Sequence, residues 1–134
     1  MNAQVPGEAF RTRLQLTYEQ ALERVTAALQ AEGFGVLTEI DVQATLKKKL
    51  DVGFRKYMIL GASNPPLACQ ALSTELEIGL VLPCNVIVHE DDGGSVVSIA
   101  DPVSMLSIAG RPELSTVAEQ ARARLQRVMT ALQD

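Results

Sequence analysis

The stretch Val86-Ile87-Val88-His89-Glu90-Asp91-Asp92-Gly93-Gly94-Ser95-Val96-Val97-Ser98-Ile99-Ala100-Asp101 decides the fold class. Its centre, Asp91-Asp92-Gly93-Gly94, is a hairpin turn, because glycine reaches positive φ without steric cost. Its flanks, Val86–Glu90 and Ser95–Asp101, are the two strands the turn joins. A hairpin placed among helical segments predicts an α+β fold, with helices packed on one mixed or antiparallel β-sheet.

Working outward, Ile78–Leu82 reads as the first half of the hairpin's leading strand, interrupted or bulged at Pro83-Cys84. Before it, Asn64 caps a helix with Pro65 at its first position, where a missing N–H costs nothing. That helix runs to about Glu75. Tyr57–Leu60 is a short apolar run, read as a buried strand. Val36, Thr38, Ile40 and Val42 alternate as another strand, and a short helix covers Gln43–Leu50. Thr17 with Gln20 forms a capping box ahead of Tyr18, Ala21, Leu22, Val25, Ala28 and Leu29 at helical spacing, and Gly33 ends that helix. Phe10, Thr12, Leu14 and Leu16 alternate with Arg11, Arg13 and Gln15 as a strand with one buried face. Downstream, Asp101 caps a short helix over Pro102–Ile108. A long final helix, about Glu113–Gln133, turns Leu114, Val117, Ala118, Ala121, Leu125, Val128 and Met129 to the core.

At 134 residues the chain is expected to form one domain over 1–134, with 1–8 as a flexible N-terminus. Hydrophobic residues make up 47% of it and aromatics 4%, so the core must be aliphatic. The net charge of -4 argues against general nucleic-acid binding, which rests on neutralising phosphates. One histidine and two separated cysteines, Cys69 and Cys84, argue against a zinc site, and no cofactor is expected. No apolar stretch reaches the ~20 residues of a membrane span. With no leader visible in Met1–Glu8, the cytoplasm is the expected location.

Several blocks resemble the bacterial and archaeal family called domain of unknown function 302 (DUF 302). They are Glu39-Ile40-Asp41-Val42-Gln43-Ala44-Thr45-Leu46-Lys47-Lys48-Lys49-Leu50, Leu60-Gly61-Ala62-Ser63-Asn64-Pro65-Pro66, Leu82-Pro83-Cys84-Asn85-Val86 and Asp101-Pro102. The resemblance covers about Phe10 to Leu132, with the blocks in the family's order. It implies a small stand-alone α+β domain, with a homodimer as the expected assembly, and no activity. Many relatives carry Cys where this chain has Ser63, which counts against a two-cysteine redox mechanism at that position.

The polar breaks in the apolar middle are the candidate site: Ser63 and Asn64 in one loop, Cys84 and Asn85 in the next, then Asp101, with Lys48 at the rim. Cys84 is the candidate nucleophile, which requires a lowered pKa beside a cation or a helix N-terminus. Against that, free cysteine is among the most buried residue types, and Cys69, among Leu67, Ala68 and Leu72, reads as core too. Asn64 is explained equally by capping. Asn85 on a strand must hydrogen-bond something. Three consecutive lysines diverge by about 100° each, so Lys47, Lys48 and Lys49 cannot share a face. Glu90, Asp91 and Asp92 suit turn geometry without a cation, and His89 reads as exposed.

No reaction can be named from these residues. The expected function is a small-molecule or partner-binding module. The alternatives are thiol-dependent or redox chemistry at Cys84, and a structural homodimer covering an open sheet edge.

Overall fold

The computed structural model describes residues 3–5 and 9–133. In chain order the elements are β1 (Ala3–Val5), β2 (Ala9–Leu14), α1 (Tyr18–Ala31), β3 (Gly35–Asp41), α2 (Val42–Leu50), β4 (Tyr57–Ser63), α3 (Pro65–Thr74), a 3-10 segment (Leu76–Val81), β5 (Cys84–Asp91), β6 (Gly94–Ala100), α4 (Pro102–Ser107), a short 3-10 turn (Pro112–Leu114) and α5 (Ser115–Gln133). The strands form one sheet in the order β1-β2-β6-β5-β4-β3, and every neighbouring pair is antiparallel. This is the α+β fold that the hairpin predicts. Of the N-terminal segment expected to be flexible, residues 1, 2 and 6–8 lie outside the described residues, and Ala3–Val5 pairs with β2.

Local chemistry sets the element ends. The Gln20 N–H donates to Thr17 Oγ1, and the Thr17 N–H to Gln20 Oε1, both at 3.1 Å. Asp41, Asn64 and Asp101 accept backbone N–H bonds at the starts of α2, α3 and α4. At the hairpin, Asp92 and Gly93 both take positive φ, which closes the turn between Asp91 and Gly94.

Register puts the buried residues on one side. Val86 lies between Leu60 and Ile99, and Val88 between Met58 and Val97. Val25 and Leu29 of α1 and Leu125, Val128 and Met129 of α5 pack on that side. Full burial of each such side chain contributes about 1.5–3 kcal/mol. A second apolar cluster, formed by Ala71, Ile78, Leu106, Leu114, Val117 and Ala118, joins α3, α4 and the start of α5.

One expected strand is not a strand. Leu76–Val81 is a 3-10 segment, and β5 starts only at Cys84, after the cis Leu82–Pro83 peptide. Ile78 is buried in the second cluster with Val81 packed against it, three residues on, as a 3-10 repeat requires. Leu76 and Leu80 are left 82% and 83% exposed.

The other face of the sheet contributes to neither apolar cluster. It carries a cross-strand row in register: Ile40 opposite Ile59, Ile59 opposite Ile87, Ile87 opposite Ser98, and Ser98 opposite Arg11. Beside it runs a second row, Tyr57, His89, Val96 and Arg13. The Tyr57 and His89 rings stack with centroids 5.3 Å apart and planes 6° from parallel.

Candidate functional site

The β4–β5 register sets Ala62 opposite Cys84, so the end of one strand and the start of the other meet where α3 begins. Ser63, Asn64 and Cys84 line one cavity there, walled by apolar residues including Phe34, Leu67 and Leu106. Its volume is about 30 Å³. That holds a water molecule, whereas metabolite pockets run to hundreds of Å³.

Within this site Asn64 is 7% exposed and acts as a joint. Its Oδ1 accepts from the Leu67 N–H at 3.2 Å, which caps α3. Its Nδ2 donates to the Glu32 carbonyl at the end of α1, at 3.5 Å. Arg124 Nη1 on α5 donates to the same carbonyl at 3.2 Å. Three helices therefore converge on one buried amide and one carbonyl, which gives Asn64 a full structural role.

Cys84 is half-buried, and that burial pushes its thiol pKa up. The expected environment of a reactive cysteine is the opposite, since a nucleophilic thiolate needs a cation or helix dipole to lower it. Cys69, read from sequence as core, is exposed on α3. Its neighbours Leu67 and Ala68 turn toward the cavity while position 69, at about 100° per residue, points outward.

The remaining candidates lie elsewhere. Asn85 is exposed, on the side of β5 opposite Val86. Lys48 is exposed on α2 and does not line the cavity. Asp101 is 2% exposed, accepts the Val103 N–H at 2.9 Å and sits 3.5 Å from Arg122 Nε. Pro102 lines the cavity; Asp101 does not. The structure thus brings Ser63, Asn64 and Cys84 together and separates Asn85, Lys48 and Asp101 from them. Arg122, Arg124 and Glu32 went unnoticed in the sequence. Their partners are tens of residues away, and no local pattern links them.

A wider, shallow basin of about 490 Å³ opens at the hairpin end, lined in part by Tyr18, Glu19, Arg55, Lys56 and Asp91. Its charges satisfy one another: Lys56 Nζ lies 2.7 Å from Glu19 Oε2, and Arg55 Nη1 lies 3.6 Å from Asp91 Oδ1. Asp91 also meets Arg13 at 3.7 Å, which turns the acidic hairpin into an ion-pair cluster. Among the described residues, no group of three or more His, Cys, Asp or Glu is placed to hold a metal ion, and no helix is long and apolar enough to cross a membrane.

The family model described as "Domain of unknown function DUF302" matches residues 10–132. Among solved structures, the chain is similar to an uncharacterized conserved DUF302 protein from Bacillus stearothermophilus, known from its crystal structure. The two share 26% identity over 92% of this chain and 97% of that one, with a TM-score of 0.85. No curated protein matches the chain.

Proposed function

The chain belongs to the DUF302 family, and on that premise we propose that it is a partner-binding module whose binding surface is the open face of its sheet. The observation that carries this reading is the in-register row Ile40–Ile59–Ile87. An antiparallel sheet with one face on helices ordinarily turns polar side chains outward. Ile40 is 49% exposed, Ile59 and Ile87 are half-buried, and the three run next to a Tyr57–His89 stack as an apolar strip that is costly to leave even partly in water. A homodimer built on this face is the simplest form of such a module. The two unpaired cysteines suit a reducing compartment, and we place the protein in the cytoplasm on that ground.

The test is site-specific photo-crosslinking in cells. A benzophenone amino acid replaces Ile59 on the open face or, as a control, Glu23 on the exposed side of α1. Adducts are expected from position 59 alone. Equal adducts from both positions, or none from a folded position-59 variant, would refute the reading.

A second reading has a specific observation behind it. Ser63, Asn64 and Cys84 do share one cavity, as a small-molecule site would require. Its size supports a water-sized occupant only, so this reading ranks below the first. Thiol chemistry at Cys84 ranks lower again, because burial favours the neutral thiol.

A further inference from the structure

We propose that the last turn of α2 and the loop after it, residues 47–56, dock on the anionic headgroups of a lipid bilayer, with Leu50, Val52 and Phe54 entering the interface. This surface is separate from the open sheet face and stands without it.

Charge is segregated there. The chain has four lysines, and all of them, Lys47, Lys48, Lys49 and Lys56, fall in this stretch together with Arg55. Asp51 is its one carboxylate, so five cations stand against one acid. The rest of the chain holds the remaining seven cations against fifteen carboxylates. An anionic surface turns such a molecule lysines first. Some of these cations have partners: Lys47 Nζ lies 2.6 Å from Asp51 Oδ1, Lys56 pairs with Glu19, and Arg55 with Asp91. Lys48 and Lys49 are exposed and have no ion-pair partner among the described residues.

Packing leaves the same stretch uncovered. α2 has nine residues and none is buried, whereas helices this short depend on a packed face. Leu46 is half-buried, but Leu50, one turn on and about 40° round the axis, is 66% exposed. The last turn of α2 therefore overhangs the body. Lys47 and Lys49 stand about 60° and 100° from Leu50, one on each side. Their flexible stems let the ammonium groups stay with headgroups while the leucine goes deeper. Val52 and Phe54 are 44% and 43% exposed and share a shallow depression with Ala44 and Lys47. The loop is held in place. The Asp51 N–H donates to the Lys47 carbonyl at 3.0 Å, and Gln43 Nε2 donates to the Phe54 carbonyl at 2.9 Å.

The side chains select a lipid surface over other anions. Nucleic acid would satisfy the lysines but offers Leu50 and Val52 nothing apolar to enter. Fixed carboxylates on a protein favour arginine, whose planar fork pairs bidentately, and seven of the eight arginines lie elsewhere. Lysine is a point charge on a flexible stem, which suits mobile headgroups. Leu76 and Leu80 provide the contrast. They are 82% and 83% exposed, but Glu75 and Glu77 beside them are repelled by an anionic surface.

The experiment is flotation of the purified full chain with vesicles of phosphatidylcholine, alone or with about 40% phosphatidylglycerol, at about 0.1 M salt. Binding is expected to the anionic vesicles only. Lys48→Gln with Lys49→Gln should lower partitioning roughly 25-fold, about fivefold per lysine. Leu50→Ser should lower it about tenfold or more. Leu76→Ser with Leu80→Ser should leave it unchanged. Circular dichroism checks that each variant is folded. The chain has no tryptophan, so Phe54→Trp supplies a sole reporter. Its emission should shift to the blue on anionic vesicles and be quenched by brominated lipid. Leu50→Ser carries the same test if that variant does not fold. No binding of the folded parent to anionic vesicles overturns the proposal. Binding that survives both the lysine and the Leu50 variants overturns the assigned surface. Binding that needs the lysines but not Leu50, or that polyglutamate or an oligonucleotide matches in affinity, is charge attraction alone and overturns the lipid assignment.

Discussion

Asn64 Nδ2 donates to the Glu32 carbonyl at 3.5 Å while Asn64 Oδ1 accepts from the Leu67 N–H at 3.2 Å, so one buried side chain ends one helix and begins another. This explains the asparagine without a ligand. Removing the amide takes away the cap of α3 and one donor to the α1 carboxyl end. Asn64→Ala is expected to cost about 1–3 kcal/mol, from a lost cap and a buried polar group with one partner fewer. Asn64→Asp keeps the capping oxygen and loses the donor, so urea denaturation should place it between alanine and the parent. An Asn64→Ala midpoint equal to the parent's would refute the joint.

Gly33 is bound up with the same amide. Its φ is +82°, and a Cβ there would lie 2.9 Å from Asn64 Nδ2. Gly33→Ala therefore combines a left-handed backbone, about 1–2 kcal/mol, with displacement of the Asn64 amide. Gly110 also has positive φ, +66°, but a Cβ there meets nothing within 4 Å. Gly110→Ala isolates the backbone part. Thermal or urea unfolding should show Gly33→Ala to be the more damaging; equal losses would mean that Asn64 gives way freely.

Most of the fold was legible because its signals are local. The Thr17–Gln20 capping box, the Asn64-Pro65 start and the Asp92-Gly93 turn each act within four residues. The 3-10 segment at Leu76–Val81 was not legible, since an apolar run after a helix suits a strand equally until Ile78 is known to meet Leu106 and Leu114. The site was half legible. Adjacent Cys84 and Asn85 read as one feature in sequence, but consecutive strand residues face opposite sides. The Ile40–Ile59–Ile87 row could not be seen at all from alternation, which says which residues share a face and not which strands are neighbours.

Tyr18 carries a prediction in alkali. Its phenol pKa is pushed up from 10.0 to about 12, first by burial and then by the charges of Asp41, Glu19, Glu39 and Glu90. The chain has two tyrosines, so a Tyr57→Phe variant leaves Tyr18 as the sole phenol. Its ultraviolet titration should centre near 12. The sign for stability follows. The folded state holds the neutral phenol more tightly than the unfolded chain does. The stabilisation is complete below 10 and is lost as pH rises from 10 toward 12. A midpoint at the free-phenol value would contradict both statements.

The two thiols should separate cleanly under alkylation. Cys69 is exposed on α3, whereas Cys84 is half-buried with its pKa raised by burial. The thiolate is the reacting species, so native-state alkylation at neutral pH should label Cys69 and spare Cys84. A raised folded pKa also means that the neutral Cys84 thiol favours the fold below the pKa of a free thiol, ~8.5. That contribution is lost as pH rises above it. Cys84→Ser should cost about 1–3 kcal/mol, because the hydroxyl enters a mostly apolar cavity with few partners. Peptide mapping after timed alkylation decides the matter. Labelling of Cys84 faster than Cys69 in the folded chain would reinstate a thiol-based function and remove the main reason for ranking the sheet face above it.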